Sequence, residues 1–153
     1  MIETVRSDYR AGLATSPTTS EAVRRPAVQA FWVLYVGFVA LPFFAGIDKF
    51  CHVLVNWDIY LAPSVAGMLP VSGHTFMLAV GVIEMLAAIL VALYPRLGAW
   101  VVALWLWGII VNLLLAGNFY DIALRDFGLS LGAIALACLS REFGFPRFTT
   151  RRR

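Results

Sequence analysis

Four long apolar runs leave this chain few ways to fold. A helix rises about 1.5 Å per residue, so crossing a hydrocarbon core of roughly 30 Å takes about 20 residues. Segments of that length stand at 27–50, 71–94, 97–117 and 119–140. The first, AVQAFWVLYVGFVALPFFAGI, has Gln29 as its only polar side chain over 27–47, and Pro42 is expected to kink its far end. The second carries His74 near its start and Glu84 near its middle, the third only Asn112, and the fourth Arg125 and Asp126. The turn residues of YPR and GNFYD flank the third run. Short loops between apolar helices imply an all-α fold, an integral-membrane antiparallel four-helix bundle. The composition agrees: 61% of residues are hydrophobic, 14% are charged and the mean hydropathy is +0.81, outside the usual range of a soluble domain.

Between the first two runs, HVLVNWDIYLAPSVAGMLPV is too polar to cross a bilayer and too apolar to float, so a short interfacial segment is expected there. Residues 1–26, with SPTTSE and mixed charges, read as a disordered polar tail, and 141–153 as a basic one. The opening stretch is too long and too acidic for a signal peptide. The sequence holds 12 lysines and arginines; placing both termini inside puts ten of them on the cytoplasmic side and leaves only Lys49 and Arg125 elsewhere. The reading is a bacterial-type inner membrane protein with both termini cytoplasmic and the 51–70 segment outside. Trp57, Tyr60, Phe119 and Tyr120 then form an outer aromatic belt, with Tyr94 and Phe143 at the inner one. The terminal RRR suits topology and anionic lipid, and no nucleic-acid partner is expected.

Ionisable groups inside a span cost about 2.5–3.5 kcal/mol each, so each needs a partner or a purpose. Helical side chains tilt toward their own N-terminus. In the alternating topology this brings Asp48, Lys49, His52, Glu84, Asn112, Arg125 and Asp126 into the outer half of the bundle as one polar cluster. Glu84 lies about 18 Å below the start of its helix, so Lys49 is expected to pair with Asp126, leaving Glu84 hydrogen-bonded near the floor of a pocket. Asp121 and Arg125, four apart with the acid first, suit a helical ion pair. Glu84 serves either as a proton-handling or ligand-binding acid or as a structural hydrogen-bonding group. No catalytic residue is assigned.

His52 has no ligand at metal-site spacing, since His74 is far along the chain, so no metal site is expected. Cys51 and Cys138 sit near opposite ends of the bundle, too far apart for a disulfide. Gly128 and Gly132, and the Gly108, Asn112, Ala116 stripe, point to close helix approach, while Trp100, Trp105 and Trp107 are expected to face lipid or a partner.

FFAGIDKF closing the first span, GVIEMLAAILVALYPRLGAW linking the second and third, and RDFGLSLGAIALACL in the fourth resemble the DoxX-like family of small four-span membrane proteins over about residues 30–140. The resemblance implies that Lys49, Glu84 and Arg125/Asp126 are the family's polar positions. It also implies an association with quinone-linked sulfur-compound oxidation and membrane oxidoreductase assemblies. The long N-terminal tail and enlarged first loop depart from the simplest members and favour a docking role. With no haem, flavin or cluster signature of its own, the chain is expected to be a subunit or accessory protein of a redox or respiratory-type assembly rather than a complete enzyme. Such a subunit would offer a quinone-accessible pocket in the outer leaflet. Its partners would be the lipid bilayer and other membrane or redox subunits, or further copies of itself. The alternatives are a small proton-coupled transporter using Glu84 and a purely structural bundle.

Overall fold

The computed structural model describes the backbone of residues 19–143. The elements are helix α1 (Thr19–Cys51), a 3-10 turn (Trp57–Tyr60), the short helix α2 (Pro63–Ala66), α3 (Gly73–Leu93), α4 (Pro95–Ala116) and α5 (Tyr120–Phe143). No strand occurs among the described residues. Contacts divide the chain after Ala30: Thr19–Ala30 is the described part of an N-terminal unit, and residues 31–143 build the bundle.

Four of these helices are long and apolar enough to cross a membrane, namely Val23–Cys51 of α1 together with α3, α4 and α5. The chain is a small multi-pass membrane protein, an all-α antiparallel four-helix bundle with a short non-spanning segment between the first two spans. The expected tails lie mostly outside the described residues; within these, α1 starts at Thr19 and α5 runs on to Phe143. Apolarity marks where a helix meets lipid, not where it stops hydrogen-bonding, and Ala22, Arg24 and Arg25 are all good helix formers. Pro42 does not end α1, which continues to Cys51.

The bundle packs small residues inward and large ones outward. Its core joins Phe31 and Phe38 of α1, Ala87 and Val91 of α3, Ala99, Val102 and Ala103 of α4, and Ala133, Leu136 and Ala137 of α5. Val33, Val36, Leu104 and Leu124 stay exposed on the outside. Water-driven burial does not hold helices together in lipid; close backbone packing does, and that requires small side chains at the contacts. A close approach joins α1 and α3. A Cβ added to Gly46 would lie 2.6 Å from the Gly81 carbonyl oxygen, and one added to Gly81 would lie 2.7 Å from that of Gly46. Gly98, in the first turn of α4, packs against the backbone of Leu90 and Val91 in the same way.

The glycine pattern expected from the sequence is therefore corrected. Gly108 and Gly128 face open space, and only Gly132 meets a neighbour, the Phe38 ring at 3.3 Å. Spacing along one helix shows which glycines share a face, but not whether another helix lies against that face.

Candidate functional site

The C-terminal ends of α1 and α4 and the N-terminal ends of α3 and α5 meet at one end of the bundle, under the segment 52–72. Below that cap lies a cavity of about 500 Å³. Phe38, Ala87 and Val102 of the main core reach it from below. Tyr60, Ile109, Leu113 and Ile122, part of a second cluster, close it above. Its wall is largely apolar, interrupted by Lys49, Trp57, Glu84, Trp105, Asn112, Arg125 and Asp126.

Lys49 is the centre of this polar set. Its Nζ lies 2.5 Å from Glu84 Oε2, donates to the Ala45 carbonyl at 3.4 Å and sits 3.8 Å above the centre of the Trp57 ring. Its side chain is 2% exposed, and that of Glu84 is 9% exposed. A buried ammonium and carboxylate are tolerable only when each has a close counterpart, and the indole face supplies a third favourable contact.

The expected Lys49–Asp126 pair is not formed. The Gly46–Gly81 contact sets α1 and α3 in register, with Lys49 three residues above it and Glu84 three residues below. That is an axial offset of about 9 Å at 1.5 Å per residue. The Lys49 side chain tilts down toward the start of α1, and Glu84 tilts up toward the start of α3, so the two converge across the offset. Measured from the start of its own helix Glu84 looks too deep; measured from the glycine contact it is within reach.

Asp126, 4% exposed, instead accepts a hydrogen bond from Arg125 Nε at 3.1 Å. The expected Asp121–Arg125 pair is thus replaced by one between neighbours. The Arg125 side chain is 62% exposed, so the guanidinium neutralises the buried acid from the bundle surface.

Asp48 leaves the expected cluster. Its Oδ1 accepts the Val53 and Leu54 amides, both at 2.9 Å, and its Oδ2 accepts Trp57 Nε1 at 2.7 Å. These three bonds fold the chain back after α1 and lay the Trp57 ring on Lys49. Trp57 is therefore a half-buried wall of the site rather than part of an aromatic belt. Tyr120, by contrast, is 61% exposed, and Tyr60 packs edge-on against Phe119 at 4.9 Å.

Asn112 works as a bracket for the cap. Its Oδ1 accepts the Ala62 amide at 3.0 Å and its Nδ2 donates to the Tyr60 carbonyl at 2.7 Å, pinning the segment between the 3-10 turn and α2 onto α4. Ala62 is fully buried as a result.

Trp105, expected to face lipid, lines the cavity. Its indole N–H is buried and directed at the Glu84 carboxylate, close enough to interact with it but without a well-formed hydrogen bond. A buried donor whose hydrogen bond is not fully formed is poorly compensated for its lost hydration. Trp100 and Trp107, at 44% and 46% exposed, do face outward.

His52 also lies outside the cavity. The expectation that it has no companion is overturned, because the cap returns His74 to it with ring centroids 5.6 Å apart. Asp58 accompanies them, its Oδ2 lying 2.9 Å from His74 Nδ1. The two cysteines are free and exposed.

Of the residues singled out from the sequence, the structure gathers Lys49, Glu84, Asn112, Arg125 and Asp126 around one cavity, places Asp48 at the end of α1 where it holds the cap, and places His52 in the cap. Sequence reasoning missed Trp57 and Trp105 as site residues. Trp105 was missed because an aromatic in a span looks the same whether it faces lipid or a pocket, and Trp57 because its place over Lys49 depends on the Asp48 bond that folds the cap back. The chain matches no protein-family profile, no curated protein and no solved structure.

Proposed function

We propose that this chain is a small membrane subunit of a redox-type assembly that binds a quinone, or a molecule of quinone-like chemistry, in the cavity beneath its cap. The observation that carries the reading is the cavity itself. Its volume of about 500 Å³ falls within the usual range for small-molecule pockets, roughly 300–1,000 Å³. Its apolar wall suits a ring and lipid tail arriving from the bilayer. The buried Trp105 N–H, near Glu84 but without a well-formed hydrogen bond, offers a donor to a carbonyl oxygen, and the Lys49–Glu84 pair provides a polar group whose charges are already balanced.

When bound, the quinone and a partner protein would supply the electron-transfer chemistry; the residues of this chain bind, orient and exclude water. The resemblance to DoxX-like proteins at FFAGIDKF, GVIEMLAAIL and RDFGLSLGAIAL supports the same reading, and the distribution of Lys and Arg supports a cap that faces away from the cytoplasm. Glu84 is locked to a lysine that has two other partners, which favours an architectural role for the carboxylate over proton shuttling in a carrier.

Purification in a mild detergent tests the proposal. Organic extracts of the purified protein should contain quinone at a near-stoichiometric level, and a redox protein should co-migrate on size exclusion. A monodisperse protein with neither would refute it.

A further inference from the structure

The cap holds a second constellation, apart from the cavity. The chain contains two histidines, 22 positions apart, and the fold brings both to one point. His52 follows the last residue of α1, Asp58 lies in the 3-10 turn, and His74 is in the first turn of α3. One ring nitrogen of each histidine and one carboxylate oxygen of Asp58 all lie within 4.8 Å of one another. We propose that His52, Asp58 and His74 form a binding site for a divalent transition-metal ion of the zinc or copper class, which would fasten the cap over the mouth of the bundle.

Three observations beyond proximity support the site. First, Asp58 Oδ2 contacts His74 Nδ1, while Oδ1 is buried without a hydrogen-bond partner. A half-satisfied carboxylate on two imidazoles is the donor set expected of a metal site. Second, His52 adopts φ 51°, the only non-glycine residue with positive φ among the described residues. A helix commonly ends on glycine in this conformation, because a Cβ is disfavoured there. Here the fold instead spends that position on a histidine, which turns its ring toward His74. Third, the three residues come from three separate stretches, the exit from α1, the 3-10 turn and the first turn of α3, and the Asp48 and Asn112 hydrogen bonds fix the backbone between them, so the donors are held by the fold.

The chemistry selects the ion class. Two imidazoles and one carboxylate suit zinc, copper, nickel or cobalt, whereas magnesium and calcium prefer oxygen donors alone. Metal–ligand bonds of about 2.0–2.2 Å in a tetrahedron require donors roughly 3.3–3.6 Å apart. The donors, now between 2.9 Å and 4.8 Å apart, bracket that spacing, so small side-chain rotations that open the Asp58–His74 contact and draw the remaining donors in would close the site. Three protein ligands leave a fourth position for water or for a donor from a partner. The proposal does not depend on quinone binding, and its test does not involve a quinone.

The test uses the full chain with a non-histidine affinity tag, purified in dodecyl maltoside and stripped with a chelator. Cobalt(II) titration followed by visible absorption, and zinc content measured by mass spectrometry after dialysis against zinc, should both give one metal per chain. His52→Ala, His74→Ala and Asp58→Asn should each weaken binding by at least about tenfold, as loss of metal-site residues does. Cys51→Ser should leave it unchanged. Two results would overturn the proposal: no stoichiometric binding by the wild-type chain, or binding that survives loss of both histidines and follows Cys51. Circular dichroism of each variant at 222 nm distinguishes lost ligation from lost fold, and the exposed His74 is the substitution least able to disturb folding.

Discussion

Replacing Lys49 with Met would leave Glu84 buried and without its cation; the side chain is 9% exposed and its Oε2 now lies 2.5 Å from the ammonium. Removing one member of a buried ion pair costs about 3–5 kcal/mol, because the other keeps its desolvation penalty and loses its compensation. Glu84→Met should cost a similar amount, since it leaves Lys49 with only the Ala45 carbonyl and the Trp57 ring. Replacing both with apolar residues of similar volume should bring stability back to within about 2 kcal/mol of the wild type. The coupling in the double-mutant cycle should therefore be at least about 4 kcal/mol. At about 2–4 °C per kcal/mol for a chain of this size, each single variant should melt about 6–20 °C lower and the double variant close to the wild type. Thermal unfolding followed by circular dichroism in one detergent reads all four proteins. Additive losses, with the double variant as damaged as the sum of the singles, would refute the view that these two charges exist for each other.

Other predictions probe the surrounding frame. Gly81→Val should sharply lower the melting temperature, because its Cβ meets the Gly46 carbonyl at 2.7 Å, a backbone atom that cannot rotate away. Gly128→Ala meets nothing within 4 Å and should be neutral or stabilising by about 0.5–1 kcal/mol, which thermal unfolding also reads. Asn112→Leu removes both bonds to the cap and should cost about 1–3 kcal/mol, with faster hydrogen exchange at the Ala62 amide. Asp48→Ala should speed exchange at the Val53 and Leu54 amides while leaving the α4 amides protected.

The four spans were legible because membrane crossing imposes a length and an apolarity that a sequence displays directly. The gathering of Lys49, Glu84, Asn112, Arg125 and Asp126 at one end was legible too, since the direction of side-chain tilt follows from topology alone. Pairing within the cluster was not. It depends on how far α1 and α3 are shifted along each other, and that shift is set by Gly46 and Gly81, which look like any other glycines in the one-dimensional pattern. Trp105 was misread for a related reason. In a water-soluble protein a large apolar side chain points inward, but in a bilayer both directions are apolar and composition no longer distinguishes them. The meeting of His52 with His74 lay furthest out of reach, because it needs the whole path of the cap, held by Asp48 and Asn112.

The central claim is that the cavity beneath the cap is a ligand site. Trp105 lines it, so Trp105→Ala removes part of the cavity wall and its indole donor. Titration of the purified protein with a short-chain quinone, read by quenching of tryptophan fluorescence, should show saturable one-to-one binding in the wild type. Binding should be weaker by at least about tenfold, or about 1.4 kcal/mol, in Trp105→Ala with the circular-dichroism helix signal retained. Quenching that rises linearly without saturation, and equally in both proteins, would mean that the quinone merely partitions into the detergent, and would contradict the account.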